Sequence, residues 1–341
     1  MLLSPATWMN LFPHYLLNTT MAGLHLPVLY YLANMQATVY KSTGSWYIVK
    51  NSTGQFYDAR IKGKFKIDQI TSTNPIAVGD IVEIENETDT ESTVITEIYE
   101  RRNYINRVSP HNKNQHHIVA ANLDQSLLFA TLKEPKTSLG FIDRFLVISE
   151  AYRVPAIVVF NKSDLYGKKE IEKMELIRSI YEPIGYTIME MSIEKNIGVE
   201  EVKILLKDKI TLLSGHSGVG KSSFINIIFP ELKLKTQDVS GWSGKGLHTT
   251  TFAEMFDLSF GGQVIDTPGI REMGLVDISK QELAHYFPEM RAVMNDCRFN
   301  NCMHLDEPGC AVKNAVNEGR IHAERYISYL NIRDTILEKT Y

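Results

Sequence analysis

Cysteine is almost missing from this 341-residue chain, with three in all, at positions 297, 302 and 310. An odd number confined to one short stretch excludes a disulfide-stapled secreted scaffold and points to metal ligation in a reducing compartment, hence a cytoplasmic protein. An excess of positive charge is missing too. Lys and Arg total 36 against 40 Asp and Glu, a net charge of −4, so any nucleic-acid surface has to be local. No apolar run is long enough to span a bilayer. The first 40 residues contain no Lys, Arg, Asp or Glu, and their most apolar piece, 21–33, is interrupted by His25 and Pro27. A signal peptide needs a basic region ahead of its apolar run, and none stands here. Residues 1–34 are therefore expected to be a dispensable extension, translated from upstream of a start at Met35.

What is present is ordinary globular material, 44% hydrophobic and 22% charged, long enough for two or three domains. From Gln36 to about Ser109 short β-rich runs alternate with glycine turns: Ala37–Tyr40, Trp46–Val49, Gln55–Tyr57, Ala59–Lys66, Val78–Ile84 and Thr93–Ile98. That pattern predicts a small barrel of the OB kind. Arg60, Lys62, Lys64 and Lys66 at spacing two share one strand face. They form either a groove for an RNA backbone or the charged guard of an edge strand. Arg101, Arg102, Arg107, His111, Lys113, His116 and His117 make a second basic stretch that reads as a linker able to touch phosphates.

Strands and helices then alternate. Strand material at Ile118–Ala121, Gln125–Ala130, Ala156–Phe160 and Tyr186–Met189 is interleaved with helical periodicity at 141–152, 171–181 and 199–206, the signature of a doubly wound α/β domain. Within it, Gly215-His216-Ser217-Gly218-Val219-Gly220-Lys221-Ser222 fits G-x-x-x-x-G-K-[ST] at every fixed position. A strand, Lys209–Leu213, precedes it and a helix starts at Ser223. Glycines let successive backbone N–H groups turn inward around phosphate oxygens at the positive end of a helix. Lys221 reaches the β- and γ-phosphates and the Ser222 hydroxyl ligates Mg²⁺.

Two further motifs choose the nucleotide. Asn161-Lys162-Ser163-Asp164 closes a buried strand at its C-terminal end, where such folds bind ligands. The Asp164 carboxylate can accept from both guanine N1–H and the exocyclic amine, a donor pair adenine lacks. A site built for that pair rejects the analogue by about 10⁴-fold, because its own acceptor is left unpaired. Asn161 is expected to brace the loop, the Lys162 stem to cover the base, and Ser192, after the next strand, to lie in a base-contact loop. Asp266-Thr267-Pro268-Gly269 follows strand 262–266. Asp266 can hold the Mg²⁺ shell while the Gly269 N–H meets the γ-phosphate. Between these motifs, Gly246–Thr251 forms a polar switch loop. One of Thr249, Thr250 and Thr251 supplies the second Mg²⁺ ligand, with Thr250 taken as the candidate.

Near the C-terminus, Cys297, Cys302, His304 and Cys310 are spaced C-x₄-C-x-H-x₅-C and use every cysteine in the chain. Three thiolates and an imidazole fill a closed tetrahedral Zn²⁺ site, so the zinc is structural and leaves no position for a catalytic water. Fe–S ligation is the runner-up, disfavoured by the lone His. The segment from Ala311 to Leu330 has helical periodicity, with Arg320, His322 and Arg325 suited to meeting RNA or protein.

The order of the nucleotide motifs is inverted. A GTPase chain ordinarily runs P-loop, switch threonine, D-x-x-G, N-K-x-D, whereas here N-K-x-D comes first and D-T-P-G last. This layout resembles the RsgA family, circularly permuted GTPases that assist small ribosomal subunit maturation, and the likeness covers residues 36 to 341. It implies guanine contacts at Asn161, Lys162 and Asp164 and phosphate contacts across Gly215 to Ser223. The family's switch motif, His followed by three Thr, is matched by His248 to Thr251. Leu247 departs from the Arg or Gln the family often has.

Catalysis at such a site is positioning and electrostatics. Ile270 occupies the place after D-x-x-G where many GTPases carry the water-orienting Gln. His248 is the candidate replacement, with Lys221 and Gly269 stabilising the transferred phosphoryl group. The expected layout is multidomain α/β: the extension 1–34, an OB-type barrel 35–110, a circularly permuted P-loop GTPase domain 111–278, and a helical zinc-binding domain 279–341. The expected activity is GTP hydrolysis, slow alone and ribosome-stimulated, driving a late step of small-subunit maturation and the protein's own release. The expected ligands are GTP or GDP with Mg²⁺ and one Zn²⁺. The expected partner is the small subunit and its rRNA, met by a monomer with no membrane contact. Two alternatives stand beside this: a GTP-dependent switch that recruits a protein partner, and a zinc-containing RNA-binding module whose hydrolysis is incidental.

Overall fold

The computed structural model describes residues 35–62, 75–87, 93–108, 116–230, 253–267 and 278–336, all within one compact unit. The extension 1–34 lies outside the described residues, as do Lys64, Lys66, His111 and Lys113.

Five strands open the chain: β1 (Met35–Ser42), β2 (Tyr47–Asn51), β3 (Phe56–Ile61), β4 (Ile81–Asn86) and β5 (Thr93–Ile98). β1 pairs antiparallel with β2 and β4, β3 runs parallel to β5, and β4 pairs antiparallel with β5. The ring closes into a barrel. Alternation along each strand sends Ala37, Val39, Tyr47, Val49, Ala59, Val82 and Ile84 into one apolar core, the period-two pattern of a half-buried strand. β3 lies between β2 and β5, so its basic residues guard no edge. Arg60 is paired with Glu87 at 2.7 Å and Lys62 with Glu85 at 3.3 Å, which neutralises the described half of the basic stripe within the barrel itself.

The stretch read as a linker is a hairpin. β6 (Tyr104–Val108) and β7 (His116–Ala121) pair antiparallel. Arg101 is committed to the buried Asp80 carboxylate at 2.6 Å, and Arg102 to Asp124 at 2.7 Å. Their charge is spent on folding.

The α/β domain follows with β8 (Gln125–Ala130), β9 (Ala156–Phe160), β10 (Thr187–Glu190), β11 (Ile210–Gly215), β12 (Glu254–Asp257) and β13 (Gln263–Asp266). β10, β9, β8, β11 and β13 are hydrogen-bonded in that order and all run parallel. Every β8 residue is buried, the mark of a strand covered on both faces. β12 is antiparallel to β13 and also touches β1 at Lys41 opposite Glu254, which joins the barrel to the sheet. Helices α1 (Leu139–Ala151), α2 (Lys168–Tyr181), α3 (Val199–Leu206) and α4 (Lys221–Ile228) connect the strands. α1 starts where the Ser138 side chain accepts from the Phe141 N–H, an N-cap bond.

The C-terminal part contains α5 (Pro288–Arg291), α6 (Ala311–Asn317) and α7 (Ala323–Thr335). One helix was expected over 311–330, but there are two. Gly319, at φ 74°, ends α6 in a left-handed turn. The Arg320 N–H donates to the Ala315 carbonyl at 2.8 Å and the Gly319 N–H to Val316 at 3.0 Å, the paired bonds of a Schellman stop. α7 then restarts with His322 as its cap, accepting from the Glu324 N–H at 3.2 Å. Among the described residues no helix is long and apolar enough to cross a membrane.

Arg325 does not face a partner. Its side chain is 1% exposed and forms an ion triad with Asp143 of α1 and Glu289 of α5, both at 2.6 Å. Its guanidinium also lies 4.6 Å from the centre of the Phe287 ring. Burial alone would lower the Arg325 pKa, but the two carboxylates outweigh it and raise it. Replacing Arg325 by Met leaves both carboxylates buried without their cation. The expected loss is about 3–5 kcal/mol, measured by urea unfolding, and a loss under about 1 kcal/mol would show that the triad does not hold α7 to α1.

Candidate functional site

The five parallel strands end at one edge of the sheet, and the nucleotide motifs sit there together. Phe160, the last residue of β9, pairs with Ala130 of β8 and Glu190 of β10, while Gly215 of β11 lies opposite Phe129. Asp266, ending β13, lies opposite Leu213. Residues 161–164, Ser192, 215–222 and Asp266 therefore emerge on the same side, the crevice beyond the strands' carboxyl ends where such sheets bind ligands.

The P-loop backbone needs its glycines. Gly220, the N-cap of α4, has φ 96°, and a Cβ there would stand 2.1 Å from Asn161 Nδ2. Asn161 has come close for a reason. Its buried amide donates to the Val219 carbonyl at 2.9 Å and accepts from the Ile193 N–H at 3.3 Å. One side chain thus locks the phosphate loop to the loop carrying Ser192. Lys162 adopts the left-handed conformation, φ 64°, and its ammonium donates to the Glu134 carbonyl. Asp164 is exposed at the mouth, and the Ser192 hydroxyl donates to it. The Lys195 N–H in turn donates to Ser192 Oγ at 3.1 Å.

Lys221 and Ser222 are buried at the start of α4. The Lys221 ammonium is paired with the Asp266 carboxylate, so the proposed phosphate-reaching cation and the proposed Mg²⁺-shell anion meet at one point. His216 packs on Phe141 of α1, ring centres 3.7 Å apart. Ser217 and Gly218 are exposed, Val219 is buried and Ser223 is half-buried. His248, Thr249, Thr250, Thr251, Gly269 and Ile270 lie outside the described residues. A cavity of about 460 Å³ lies elsewhere, between barrel and β12, lined by Tyr40, Ile48, Phe56 and Met255 among others. It shares no lining residue with the P-loop or the 161–164 loop.

The second site is the cysteine cluster. One ligand atom from each of Cys297, Cys302, His304 and Cys310 lies within 4.8 Å of all the others. His304 Nδ1 stands 3.6 Å from Cys297 Sγ and 3.5 Å from Cys310 Sγ, separations that suit four ligands around one ion. The donor set fits zinc, and these four residues could hold it. Backbone donors address the sulfurs: the Ala311 N–H lies 3.3 Å from Cys297 Sγ and the Lys313 N–H 3.4 Å from Cys310 Sγ. Glu307 accepts from the Met303 and Leu305 N–H groups, both at 2.7 Å, and shapes the loop between the ligands. Burial, with some help from the neighbouring thiols, pushes the Cys302 thiol up to about 12. Burial also holds His304 below its usual value, keeping the imidazole neutral as a ligand must be. A divalent cation reverses the first effect and uses the second.

Comparison with known proteins settles the relationship. The RsgA GTPase family model matches residues 98–276 and the RsgA N-terminal domain model residues 36–94. The chain belongs to the RsgA GTPase family. The small ribosomal subunit biogenesis GTPase RsgA of Flavobacterium psychrophilum is 50% identical over 300 residues, covering 87% of this chain and 92% of that one. The same-named protein of Cytophaga hutchinsonii is 53% identical over 300 residues, 87% of this chain and 97% of that one. Among solved structures, YjeQ from Thermotoga maritima superimposes with a TM-score of 0.73 at 35% identity, covering 90% of this chain and all of that one. YloQ, described as a circularly permuted GTPase, gives 0.69 at 28% identity, covering 92% and 100%.

Sequence reasoning about the family's motifs missed the residues that brace them. The hydroxyls of Tyr326 and Tyr329 donate to the carbonyls of His304 at 2.6 Å and Met303 at 2.8 Å. Their spacing of three along α7 was the available signal. Changing Cys310 to Ser is expected to lower bound zinc from one per chain to below about 0.2, since one of four ligands is lost, with loss of helix on circular dichroism. Full zinc content in that variant, by mass spectrometry of metals, would remove Cys310 from the site.

Proposed function

We propose that this chain hydrolyses GTP on the sheet edge formed by residues 161–164, 215–222 and 266, and works in small ribosomal subunit biogenesis as its relatives' name states. The observation that carries the reading is the meeting of three separate motifs at that edge, with Lys221 against Asp266 and Asn161 joining the base loop to the phosphate loop. Asp164, oriented by Ser192, accepts the guanine donor pair. The N–H groups of Gly215 to Ser223 surround the phosphates. Lys221 would turn from Asp266 to a phosphate oxygen, and Asp266 and Ser222 are the residues that would hold the Mg²⁺ shell. Held there, Mg²⁺ would supply positive charge to offset that of the phosphates. Thr250 is the further ligand, and the Gly269 N–H meets the γ-phosphate.

Ile270 cannot hydrogen-bond water, so turnover alone is slow and His248 orients the attacking water once the subunit docks. The domains divide at 35–110, 111–278 and 279–341. D-T-P-G feeds straight into the zinc domain, and loss of the γ-phosphate there releases the protein from the rRNA after a late maturation step in the cytoplasm. The protein acts as a monomer.

GTP hydrolysis measured with and without purified small subunits tests the reading, with Lys221→Ala as control. Stimulation confined to the subunit, at least about 10³-fold below wild type in Lys221→Ala, is the expected result. Equal rates with and without subunits would favour a switch that recruits a protein partner. His248→Ala should keep GDP affinity and lose about 10²-fold of the subunit-stimulated rate; an unchanged stimulated rate would remove His248 from catalysis.

A further inference from the structure

Helix α1 meets the P-loop at one end and the C-terminal part along its length. Phe141, in its first turn, stacks on His216 at 3.7 Å with the rings tilted by 33°. Two residues on, the buried Asp143 receives Arg325 of α7 at 2.6 Å and the Tyr181 hydroxyl of α2 at 2.6 Å. Arg144 donates to Thr335, near the end of α7, at 2.9 Å. One turn further, Val147 is part of the apolar cluster formed otherwise by residues from 278 to 336. From Arg325 the contacts continue along α7. Tyr326 and Tyr329 hold the carbonyls of His304 and Met303, and His304 belongs to the cysteine cluster. Hydrogen bonds, an ion pair and one ring contact, joined through the backbones of α7 and α1, therefore connect the cluster loop to the phosphate loop.

α1 is stiff enough to transmit displacement. Ile142, Asp143, Phe145, Leu146, Val147, Ile148 and Ser149 are all buried and Gly140 is the one exposed residue of the helix, so its middle has little room to shift. Asp143 is held in a charge network whose disruption strands buried charges. A shift of α7, when its cluster loop loosens, therefore moves Phe141 against His216. Phosphate binding by backbone N–H groups depends on positions held to about 0.5 Å.

We propose that Arg325 is a positioning residue for the P-loop, and that the cysteine cluster and the nucleotide site strengthen each other's ligand binding through α1. The proposal rests on residues 215–222 being the phosphate cradle. Linkage makes the effect reciprocal: what the cluster's ligand does to nucleotide affinity, nucleotide does to the cluster's affinity.

The test uses the full chain and a fluorescent GDP analogue with Mg²⁺, titrated against wild type, Arg325→Lys, Phe141→Ala and the double variant. Val82→Ala, in the barrel core and off the route, supplies a destabilised control. Arg325→Lys and Phe141→Ala should each weaken GDP binding about fivefold to tenfold, the double variant no more than the weaker single, and Val82→Ala not at all. Arg325→Lys that lowers the unfolding midpoint yet binds GDP as wild type overturns the proposal, and so do two losses that multiply. Should Arg325→Lys fail to fold, zinc release to a chromophoric chelator decides. At equilibrium against the chelator, saturating GDP should raise zinc affinity about fivefold in wild type and not in Phe141→Ala, and equal zinc affinity with and without GDP in wild type overturns the idea. Wild-type GDP affinity in Lys221→Ala would instead overturn the cradle reading beneath it, a result visible in the same titration.

Discussion

Five strands running one way decide where everything else in the molecule goes. In a parallel sheet every C-terminal strand end lies on the same edge, whatever order the chain visits the strands. β9 comes before β11 and β13, so residues 161–164 precede the P-loop at 215–222 in sequence. In space the loops after β9, β10 and β11 still meet, with Asp266 at the end of β13 beside them. A permuted order costs the site nothing, because hydrogen-bond register and burial are properties of neighbouring strands and not of chain connectivity. What permutation alters is the traffic in and out of the edge. The strand that follows residues 246–251 in the chain is β12, which is ion-paired with the barrel through Lys41 and Glu254 at 3.0 Å. The chain leaving Asp266 goes on to the C-terminal part.

That rerouting explains why side-chain bridges recur at the junctions. Tyr40 of β1 donates to Asp257 of β12 at 2.6 Å, and Lys50 of β2 pairs with the same carboxylate. On the other side Arg325 ties α7 to α1 and α5. The two junctions differ in kind. Lys41, Glu254, Lys50 and Asp257 are partly exposed, so each pair contributes little. The Arg325 triad is buried, and there the cost of separating charge from its partner is several kcal/mol. The ion pairs of the C-terminal junction therefore contribute more than those of the barrel junction, where Tyr40 and Val78 share the apolar core of the α/β domain instead.

Much of this was legible in the sequence, for identifiable reasons. β9 at 156–160 and α3 at 199–206 fall where the apolar runs placed them, since a continuous β-branched run and a 3.6-residue period are local signals. The cysteine cluster was legible because its spacing is a property of one short segment. The closed barrel was legible as a class, but the β1–β12 contact was not, since nothing local says which strand edge another will cover. Arg325 was misread for the same reason: on a helix wheel it is one more basic residue, and only Asp143, far away in sequence, turns it inward. The 101–117 segment was misread because its charge masked Tyr104, Ile105 and Ile118, the strand formers that pair there. The break in 311–330 could have been read from Gly319, whose left-handed cap is a local signal.

The C-terminal part depends on both of its unusual features. A core drawn from residues 278 to 336 alone is at the size where apolar burial barely offsets chain entropy. It is completed in two ways: by Val147 and Ala151 borrowed from α1, and by a cluster whose ligand binding is itself folding free energy. Because Tyr326 and Tyr329 brace the cluster loop while Arg325, next to Tyr326 in the chain, grips α1, the same short stretch of α7 serves both. The C-terminal part is therefore anchored to α1 by the stretch of α7 that also braces its cluster loop. A rearrangement that moves it away from α1 as a rigid body must break the triad and uncover Val147 together, whereas one that moves α1 with it carries Phe141 across the P-loop. The second route keeps the buried charges paired but draws Ile142, Phe145, Leu146 and Ile148 out of the α/β core, so α1 is held from both sides and either motion carries a cost.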